Sequence, residues 1–363
     1  MNEYKKVRLG DVCEKGSSNI AQNEILENEG NYPIYGAAGF IKNVDFYKQE
    51  EPYIGIVKDG AGVGRVSVHP AKSSLIGTMQ YIFPKENIEI GYLAAYLKSQ
   101  NLGSLYKGAA IPHIYFKDYE NFQIPLPPKE TQKQIASSLD KVTKIITENK
   151  TLLEKYDLLI KSRFIEMFGD PLDNQKNWEV QTLGNLCEIV RGGSPRPIDK
   201  FLGGSIPWIK IGDATNGDDI YLYKTKEHII EEGIKKSRLI PEGSLIFANC
   251  GVSLGFARII KFQGCIHDGW LAFQNISPRV NNVFLLKSLN MCTDYFRKTA
   301  PDGTQPNLNT TIMKSFVQIL PPKDLQDEYV QFVQQIDKSK FVVQKSLEKA
   351  ETLYKSLMQE YFG

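Results

Sequence analysis

Residues 154–169, which read EKYDLLIKSRFIEMFG, align without a gap on residues 348–363, which read EKAETLYKSLMQEYFG. Eight of the sixteen positions are identical, and the two stretches are 194 residues apart. A match of this kind within one chain is typical of an internal repeat, in which each copy builds the same structural unit. The sequence therefore predicts a duplicated fold.

Two further motifs extend the repeat toward the start of each unit. Leu-Pro-Pro-Lys occurs at residues 126–129 and again at 320–323, at the same offset of 194. LGDVCE at residues 9–14 matches LGNLCE at 183–188, but at an offset of 174. The second unit therefore carries about twenty additional residues between its opening motif and its Pro-Pro motif.

The middles of the two units diverge. Residues 60–64 (GAGVG) pair only loosely with residues 251–255 (GVSLG), and residues 108–114 with residues 303–308. We interpret the chain as one common scaffold that holds two different variable modules.

Each unit ends in a stretch with the pattern of a long helix. Residues 130–168 contain no Gly or Pro, and apolar residues recur at alternating spacings of four and three, as on a coiled-coil seam. The two seams consist of Ile135, Leu139, Val142, Ile146, Asn149, Leu153, Tyr156, Ile160, Arg163 and Met167, and of Tyr329, Val333, Ile336, Lys340, Val343, Leu347, Ala350, Tyr354, Leu357 and Tyr361. About 40 residues at ~1.5 Å each give a rod of roughly 60 Å, longer than a small domain needs. Two such helices on one chain most simply pack antiparallel; separate bundles or dimerisation with another chain are the alternatives.

Polar and helix-breaking residues mark the register and the ends of these helices. Asn149 and Lys340 interrupt the seams and are candidates to fix the pairing register. The Pro-Pro pairs exclude helix upstream, Asp324 is positioned to cap the second helix, and residues 169–171 (GDP) stop the first.

The modules are rich in short apolar strands and turns. β-branched and aromatic residues predict strands at residues 53–57, 81–83, 205–211, 244–248 and 270–273, and short helices are expected at 91–99 and 282–296. We predict an α+β fold of two mixed modules joined by two long helices in an antiparallel coiled coil, with a pseudo-two-fold internal repeat. The expected boundaries are residues 1–128 for the first module, 129–169 for the first helix, 170–321 for the second module and 322–363 for the second helix.

Composition excludes several classes of protein. The 363 residues are enough for two or three domains, and 42% hydrophobic with 24% charged residues is ordinary for a globular protein. No apolar run approaches the ~20 residues that span a bilayer. The charged N-terminus leads into no apolar segment, and the five cysteines are scattered, so we expect a cytoplasmic protein. The net charge of +2 decides little.

The sequence offers no convincing catalytic centre. Residues 59–64 (DGAGVG) superficially resemble a nucleotide loop, but the following residues continue as strand, so we interpret them as a tight turn. Cys250, Cys265 and His267 match no zinc spacing with a fourth ligand. The chain contains neither a Gly-Lys-Ser/Thr phosphate loop nor the Asn/Asp-Pro-Pro-aromatic motif of an adenine methyltransferase.

Polar side chains in the duplicated loops remain as a candidate recognition surface. Arg and Lys contact phosphates, Arg pairs with guanine through two hydrogen bonds, and Gln or Asn pairs with adenine. The candidates for DNA binding are Lys58, Arg65, Lys107, His113 and Lys117 in the first unit, and Arg191, Ser194, Arg196, Lys210, Arg258, Lys261, Gln305 and Asn307 in the second, with Asn309 beside them. Ordinary surface charge and turn-stabilising amides are the alternative interpretation of each one.

Taken together, the motifs resemble those of a known family. The repeated Leu-Pro-Pro-Lys before a long helix, the matching helix ends, residues 206–210 (IPWIK) and residues 303–308 (GTQPNL) resemble the DNA-specificity subunit of type I restriction-modification systems. The resemblance covers essentially the whole chain. The first module departs from it, because it lacks a clear Pro-Trp-Ile strand and a Gln-Pro-Asn segment; Ala110-Ile111-Pro112-His113 stands at the matching positions.

The resemblance implies a function in DNA recognition. Each module would be a target recognition domain that reads one half of a bipartite, asymmetric site in double-stranded DNA, and the helices would fix the spacing. Two modification subunits would bind this frame and methylate adenine from S-adenosylmethionine, and restriction subunits would supply ATP-driven translocation and cleavage. No cofactor is then expected in this chain, because S-adenosylmethionine, ATP and Mg would bind the partners. It also implies that shortening residues 130–168 by one heptad changes the spacing and leaves the half-sites unchanged.

Three other hypotheses stay open at this point. A coiled-coil adaptor that does not bind DNA would explain the helices alone. A self-sufficient methyltransferase would use the loop at residues 60–64. A specificity subunit of a related defence complex would keep the recognition function but have different catalytic partners.

Overall fold

The fold was established from a computed structural model, which describes residues 4–107, 112–215, 217–251, 253–300 and 307–363. The chain divides into two structural units. Unit 1 comprises Met1–Thr151 and Val343–Gly363, and unit 2 comprises Leu152–Val342. Each unit therefore contains one module together with part of each long helix.

Unit 1 begins with a short strand and one helical turn, and its sheets follow. Its elements are β1 (Lys6–Arg8), α1 (Leu9–Val12), β2 (Cys13–Ser17), β3 (Tyr32–Gly36), β4 (Gly39–Val44), β5 (Tyr53–Val57), β6 (Val66–His69), β7 (Ser74–Leu75), β8 (Met79–Pro84), α2 (Ile90–Ser99), β9 (Gln123–Pro125) and the first part of α3 (Lys129–Phe168). The sheets have the strand orders β2-β8-β5-β6 and β4-β3-β7, and β1 pairs with β9.

Unit 2 repeats this order with extra strands. Its elements are β10 (Val180–Thr182), α4 (Leu183–Leu186), β11 (Glu188–Arg191), β12 (Leu202–Ile209), β13 (Tyr221–Leu222), β14 (Glu227–Ile229), α5 (Glu231–Ile234), β15 (Arg238–Ile240), β16 (Leu245–Ala248), β17 (Ala257–Ile260), β18 (Gly264–Ile266), β19 (Trp270–Gln274), α6 (Asn282–Met291), α7 (Thr293–Thr299), α8 (Thr310–Ser315), β20 (Val317–Ile319) and the first part of α9 (Lys323–Phe362). Its sheets have the orders β11-β19-β16-β17-β13 and β14-β12-β18-β15, and β10 pairs with β20.

The strand pairings show that the repeat extends into the divergent middles. The order β2-β8-β5-β6 in unit 1 corresponds to β11-β19-β16-β17 in unit 2, with antiparallel neighbours throughout. In the second sheet, β3 runs parallel to β7 as β12 runs parallel to β18. The predicted α+β fold with an internal repeat is confirmed.

Both long helices contribute to the hydrophobic cores. In unit 1, Ile135 and Leu139 of α3 belong to the core against which Tyr354 and Leu357 of α9 pack. In unit 2 the core joins the second part of α3 to the first part of α9 through Ile160, Phe164, Phe168, Tyr329 and Val333. Most of these are predicted seam positions, and burying them stabilises the helix pair by excluding water from apolar surface.

The polar seam residues pair across the helices. In unit 1, the Asn149 Nδ2 donates to the Ser346 Oγ at 3.1 Å. In unit 2, the Lys340 Nζ lies 2.7 Å from the Asp157 Oδ1, and Arg163 contacts Glu328 at 3.1 Å. In unit 2, Asp157 of α3 pairs with Lys340 of α9, and the later Arg163 pairs with the earlier Glu328, so the two helices run antiparallel.

Two buried glutamines attach the helix starts to their modules in the same way. Gln132 and Gln326 are both fully buried. The Oε1 of each accepts from a module backbone N–H, of Glu89 at 2.8 Å or of Asn281 at 2.9 Å. The Nε2 of each donates to the carbonyl of the first proline of the Pro-Pro motif, Pro127 or Pro321, and to a module carbonyl.

Several predicted boundaries were wrong. The strand expected at residues 205–211 is β12 (Leu202–Ile209), and a 3-10 turn at Ile211–Asp213 follows Lys210. The helix expected at residues 282–296 is two helices, because the chain leaves helical hydrogen bonding at Cys292. Helix α9 begins at Lys323, so Asp324 lies within its first turn, where a carboxylate favours the helix dipole, rather than at the cap.

Candidate nucleic-acid interface

The main polar cluster of unit 2 lies where strands β11, β16 and β18 end. Arg191 ends strand β11, the β11–β12 loop carries Ser194 and Arg196, and the turn between β18 and β19 carries His267 and Asp268. Backbone hydrogen bonds hold the two segments together, since Gly192 donates to the Trp270 carbonyl and Gly193 to the Ile266 carbonyl. We call these five residues, with Lys210, the unit 2 cluster: Arg191, Ser194, Arg196, Lys210, His267 and Asp268.

Gly192 allows this close approach. A Cβ built on Gly192 would lie 2.2 Å from the His267 carbonyl oxygen. A side chain at this position would therefore push the β11–β12 loop away from the β18–β19 turn.

Asp268 is the acidic centre of the cluster. Its Oδ1 accepts from the Ser194 Oγ at 2.7 Å, and its backbone carbonyl accepts from the Arg191 Nε at 3.1 Å. Burial alone would raise the pKa of Asp268, but the Ser194 hydrogen bond and the charges of His267, Arg191 and Arg196 lower it below its ordinary value. The carboxylate is therefore ionised at neutral pH.

His267 is neutral at the same pH. Burial lowers its pKa, and the charges of Lys210, Arg196 and Arg191 lower it further against the opposing effect of Asp268. The His267 Nδ1 lies 3.0 Å from the Gly269 backbone nitrogen and 3.0 Å from the Asp268 Oδ1, so the ring contacts both neighbours through the same nitrogen.

Lys210 is less available for a ligand than its sequence position suggested. Its Nζ forms an ion pair with Glu227 and lies 5.6 Å from the centre of the Trp208 ring. A phosphate would therefore compete with a carboxylate that is already in place.

The predicted amide readers have different positions. The Asn307 Oδ1 accepts from the Asn249 Nδ2 at 3.0 Å, and Asn307 forms an isolated β-bridge with Cys250, at the end of β16. Asn309 caps helix α8, because its side chain accepts from the Ile312 N–H at 2.9 Å. Gln305 lies outside the described residues.

Arg258 and Lys261 are not part of the unit 2 cluster. Arg258 is half-buried in the middle of β17, opposite Ile246, with its guanidinium 4.8 Å from the centre of the Phe256 ring. Lys261 follows the far end of β17, next to the start of β16, and its Nζ lies 4.3 Å from the centre of the Tyr221 ring. The cluster lies at the opposite end of β16.

Unit 1 has the same backbone arrangement at the corresponding place. In unit 1 the Lys58 N–H donates to the Thr78 carbonyl, and the Lys58 carbonyl accepts from the Ile114 N–H. In unit 2 the Asn249 N–H donates to the Gly269 carbonyl, and the Asn249 carbonyl accepts from the Leu308 N–H. The four distances are 3.0, 2.9, 3.0 and 2.8 Å. We call this repeated set of backbone hydrogen bonds the common frame.

The common frame confirms the loose sequence pairing of the two modules where they are described. The Asp59↔His113 bridge in unit 1 corresponds to the Cys250↔Asn307 bridge in unit 2. The glycine-containing loops also correspond, because Gly64 donates to Val57 as Gly255 donates to Ala248. Residues 108–111 and 301–306 lie outside the described parts of the chain.

Most of the candidate residues of unit 1 gather around this frame. His113 forms a β-bridge with Lys107, and the Lys107 Nζ lies 2.6 Å from the Asp118 Oδ1. Lys117 lies 5.3 Å from the centre of the Tyr115 ring, which contacts the His113 ring. The hydrogen bond from Lys107 lowers the pKa of Asp118 below its ordinary value.

The remaining candidates of unit 1 flank the β5–β6 turn. Lys58 follows β5 and lies 3.9 Å from the Asp59 carboxylate. The Arg65 Nε donates to the Gly62 carbonyl at 3.4 Å, so this side chain closes the turn. Residues 59–64 form the tight turn between two strands that the sequence predicted.

The first module does contain a counterpart of the Pro-Trp-Ile strand. Strand β3 pairs with β7 through Ile34 and Tyr35, as β12 pairs with β18 through Trp208 and Ile209. Pro33 of β3 therefore corresponds to Pro207 of β12. The first module does lack the Pro-Trp-Ile motif, but the corresponding strand is present, with Ile34 in place of the tryptophan.

Two other observations concern alternative functions. Within the described ranges, no three His, Cys, Asp or Glu side chains are grouped so that they could hold a metal ion, and Cys265 is buried in the core. No helix in the described part of the chain is long and apolar enough to cross a membrane.

The chain is similar to known proteins in its sequence. Residues 1–155 and 175–351 match the family model described as the type I restriction modification DNA specificity domain. The type I restriction enzyme MjaVIII specificity subunit of Methanocaldococcus jannaschii is 24% identical, with 98% of this chain and 91% of the relative covered.

Two solved structures share the fold along the whole chain. The S subunit of a type I restriction-modification system from M. genitalium has a TM-score of 0.69 at 16% identity, with 100% of this chain and 97% of that chain covered. A chain from a structure on complex assembly and conformational transition of the type I R-M system has a TM-score of 0.57 at 16% identity, with 100% and 98% covered. With two matches to its family model that together span most of its length, the chain belongs to the family of type I restriction-modification DNA specificity proteins.

Proposed function

We propose that this specificity subunit reads a bipartite DNA site, with one module on each half-site. The observation that carries the proposal is the common frame, which presents different side chains in the two units. Unit 1 holds the half-buried Lys58 and His113 at these positions. Unit 2 holds the half-buried Asn307 and the fully buried Asn249, whose Nδ2 donates to the Asn307 Oδ1. One backbone geometry with two unlike sets of donors and acceptors suits two unlike base sequences.

The two long helices would set the distance between the half-sites. Their seams are mostly apolar and are buried or half-buried along the stretches that lie in each unit, which suits a rigid spacer. Because one chain carries both modules, binding of the first half-site raises the local concentration of the second module at its own half-site.

Catalysis belongs to other subunits. As a member of this family the chain is a non-catalytic specificity subunit that works with other subunits of the restriction-modification system and with DNA. We propose that two modification subunits dock on the helical frame and methylate adenine, and that restriction subunits join them. S-adenosylmethionine, ATP and Mg would bind those partners, and the complex would act in the cytoplasm.

The test is base-resolution mapping of methylated adenine. The chain would be expressed with its neighbouring modification subunit in a host that lacks other DNA methylation. We expect a split motif of two short half-sites around a gap of fixed length. A stable complex that methylates nothing would contradict the proposal and favour an adaptor or a different effector chemistry, and a continuous motif would contradict recognition by two modules.

A further inference from the structure

Arg191 and Asp268 form a donor–acceptor pair at the centre of the unit 2 cluster. The Arg191 Nε donates to the Asp268 carbonyl at 3.1 Å, which orients the guanidinium and leaves its two terminal NH₂ groups for a ligand. The Asp268 carboxylate lies on the same residue, and its side chain is 38% exposed. The Ser194 Oγ and the His267 Nδ1 both contact Oδ1, at 2.7 and 3.0 Å, so that the Oδ2 still has acceptor capacity.

This order of groups matches one base pair in the major groove. A G·C pair presents two acceptors, N7 and O6 of guanine, followed by one donor, the N4 amine of cytosine. Two guanidinium donors next to one carboxylate acceptor complement that edge. An A·T pair presents an acceptor, a donor and an acceptor, so it would set an amine against the guanidinium and a carbonyl against the carboxylate.

We propose that Arg191 and Asp268 together read one G·C base pair in the half-site recognised by the second module, with Arg191 on guanine and Asp268 on cytosine. This inference rests on the proposed function, because it assigns the base class of one position within the bipartite site. The structure also supplies the ionisation state that the contact needs, since the pKa of Asp268 is lowered by Ser194 and by the neighbouring cations despite its burial.

The neighbouring cations suit the recognition of a base less well. Lys210 is paired with Glu227, and a lysine ammonium is a point charge without the paired donors of a guanidinium. Arg196 is exposed on the β11–β12 loop, where an extended side chain can reach a phosphate. We therefore assign Arg196 to the phosphate backbone.

Unit 1 carries a different pair at the same places. By strand register, Ser17 of β2 corresponds to Arg191 of β11. Ser17 lies opposite Gln80 of β8, Arg191 lies opposite Leu271 of β19, and Gln80 and Leu271 hold matching positions in their strands. Gly77 corresponds to Asp268, because each follows a residue whose N–H donates to the neighbouring sheet strand. That residue is Ile76, which donates to Tyr35 of β3, or His267, which donates to Ile209 of β12. Unit 1 therefore cannot read a G·C pair in this way, and the inference applies to one half-site only.

The experiment compares variants of the assembled methyltransferase complex. The R191Q substitution should relax the base preference at one G·C position of one half-site, and leave the other half-site and the gap unchanged. R196Q is the matched control, because it removes the same charge five residues further along the chain; it should weaken binding to all sequences about equally. S17A should leave the half-site affected by R191Q unchanged.

A base analogue tests the contact without depending on a variant. Replacing the assigned guanine by 7-deazaguanine removes N7, and replacing it by inosine changes only the minor groove. We expect the wild-type complex to bind the 7-deazaguanine duplex about 5- to 150-fold less tightly and the inosine duplex about as tightly as guanine. The R191Q complex should not distinguish guanine from 7-deazaguanine.

Two outcomes would overturn the inference while the proposed function stands. One is a split motif in which no G·C position changes in R191Q. The other is equal binding of guanine and 7-deazaguanine at every guanine of both half-sites by the wild-type complex. Absence of any split motif would instead overturn the proposed function itself, and this inference with it.

Discussion

Gln132 and Gln326 show how a single buried side chain can connect a helix to a module. Each amide accepts one backbone N–H and donates to two backbone carbonyls, and neither side chain is exposed to water. Buried backbone groups that lose such partners are costly, because water cannot replace them.

Replacing Gln326 by leucine should therefore destabilise unit 2. The substitution leaves the Asn281 N–H and the Arg279 and Pro321 carbonyls without this partner, so we expect the free energy of unfolding to fall by roughly 2–4 kcal/mol. Urea denaturation followed by circular dichroism measures it. Q331A, at an exposed position of the same helix, is the control, and an equal loss in both variants would contradict the role assigned to Gln326.

Asp337 makes stability depend on pH. Burial raises its pKa to about 6, Asp219 and Asp218 reinforce the rise, and Lys287 and Lys340 oppose it. A carboxyl with a pKa higher in the folded than in the unfolded state binds its proton more tightly in the folded state. Its contribution to stability is therefore present below the unfolded value near 4 and is lost as pH rises through 6.

We expect the free energy of unfolding of D337N to increase relative to that of the wild type as pH rises from 4 to 7. The gain should be about 1 kcal/mol after allowance for solvent screening. Urea midpoints measured at half-unit steps of pH test this prediction. D173N, at an exposed position, should show no such trend, and parallel curves for wild type and D337N would exclude Asp337 as the source.

At the residue scale the sequence identified charges but not their partners. Lys107 and Lys210 were candidates for phosphate binding, and the structure pairs them with Asp118 and Glu227. Asn309 was a candidate for reading adenine, but it caps α8. The partners of the two lysines come from other parts of the chain, and periodicity does not reveal contacts of that kind. The Asn309 cap is a local contact with Ile312, three residues later.

At the scale of elements, the two long helices were the most predictable part of the fold. Their seams follow from a local repeat of apolar residues, and the structure buries or half-buries every predicted seam position. Strand β3 was missed as a counterpart of β12, because its match depends on pairing with β7, about forty residues later in the chain. Short strands carry too few residues to reveal such a register from sequence alone.

Shortening the helices tests the proposed spacer. Removing residues 150–156 from α3 and 341–347 from α9 deletes one heptad from each helix at facing positions and keeps the seams in phase. The loss of about 10 Å of helix should shorten the gap in the methylated motif by about three base pairs. The half-sites should stay the same.

The control removes four residues, 150–153, from α3 alone, which shifts the seam out of phase and should disrupt the helix pair. Methylation mapping reads out both variants. An unchanged gap in a complex that still methylates would exclude the helices as the spacer.

At the scale of the whole molecule, the small net charge of +2 conceals a local concentration of cations. The exposed Arg191 ends β11, the exposed Arg196 lies on the loop that follows, and Asp268 in the same cluster is partly buried. A protein of nearly neutral net charge can still attract the phosphate backbone through such a patch.

We therefore expect DNA binding by the assembled complex to weaken steeply with salt. Each phosphate contact contributes about −0.9 to the slope of log K against log salt concentration, so R196Q should reduce the slope by about 1. K261Q is the matched control, because Lys261 lies at the opposite end of the sheet from the cluster. Equal effects of the two variants would show that only net charge matters.

The common frame has a further consequence for how new DNA targets arise. Its hydrogen bonds join backbone atoms only, so mutations at the half-buried Lys58, His113 or Asn307 can change the side chain at the surface without altering the frame. Each module can then diverge without disturbing the other. Because a target combines two independent half-sites, the number of accessible targets grows as the product of the variants of each module, and a few mutations can give a cell a new specificity.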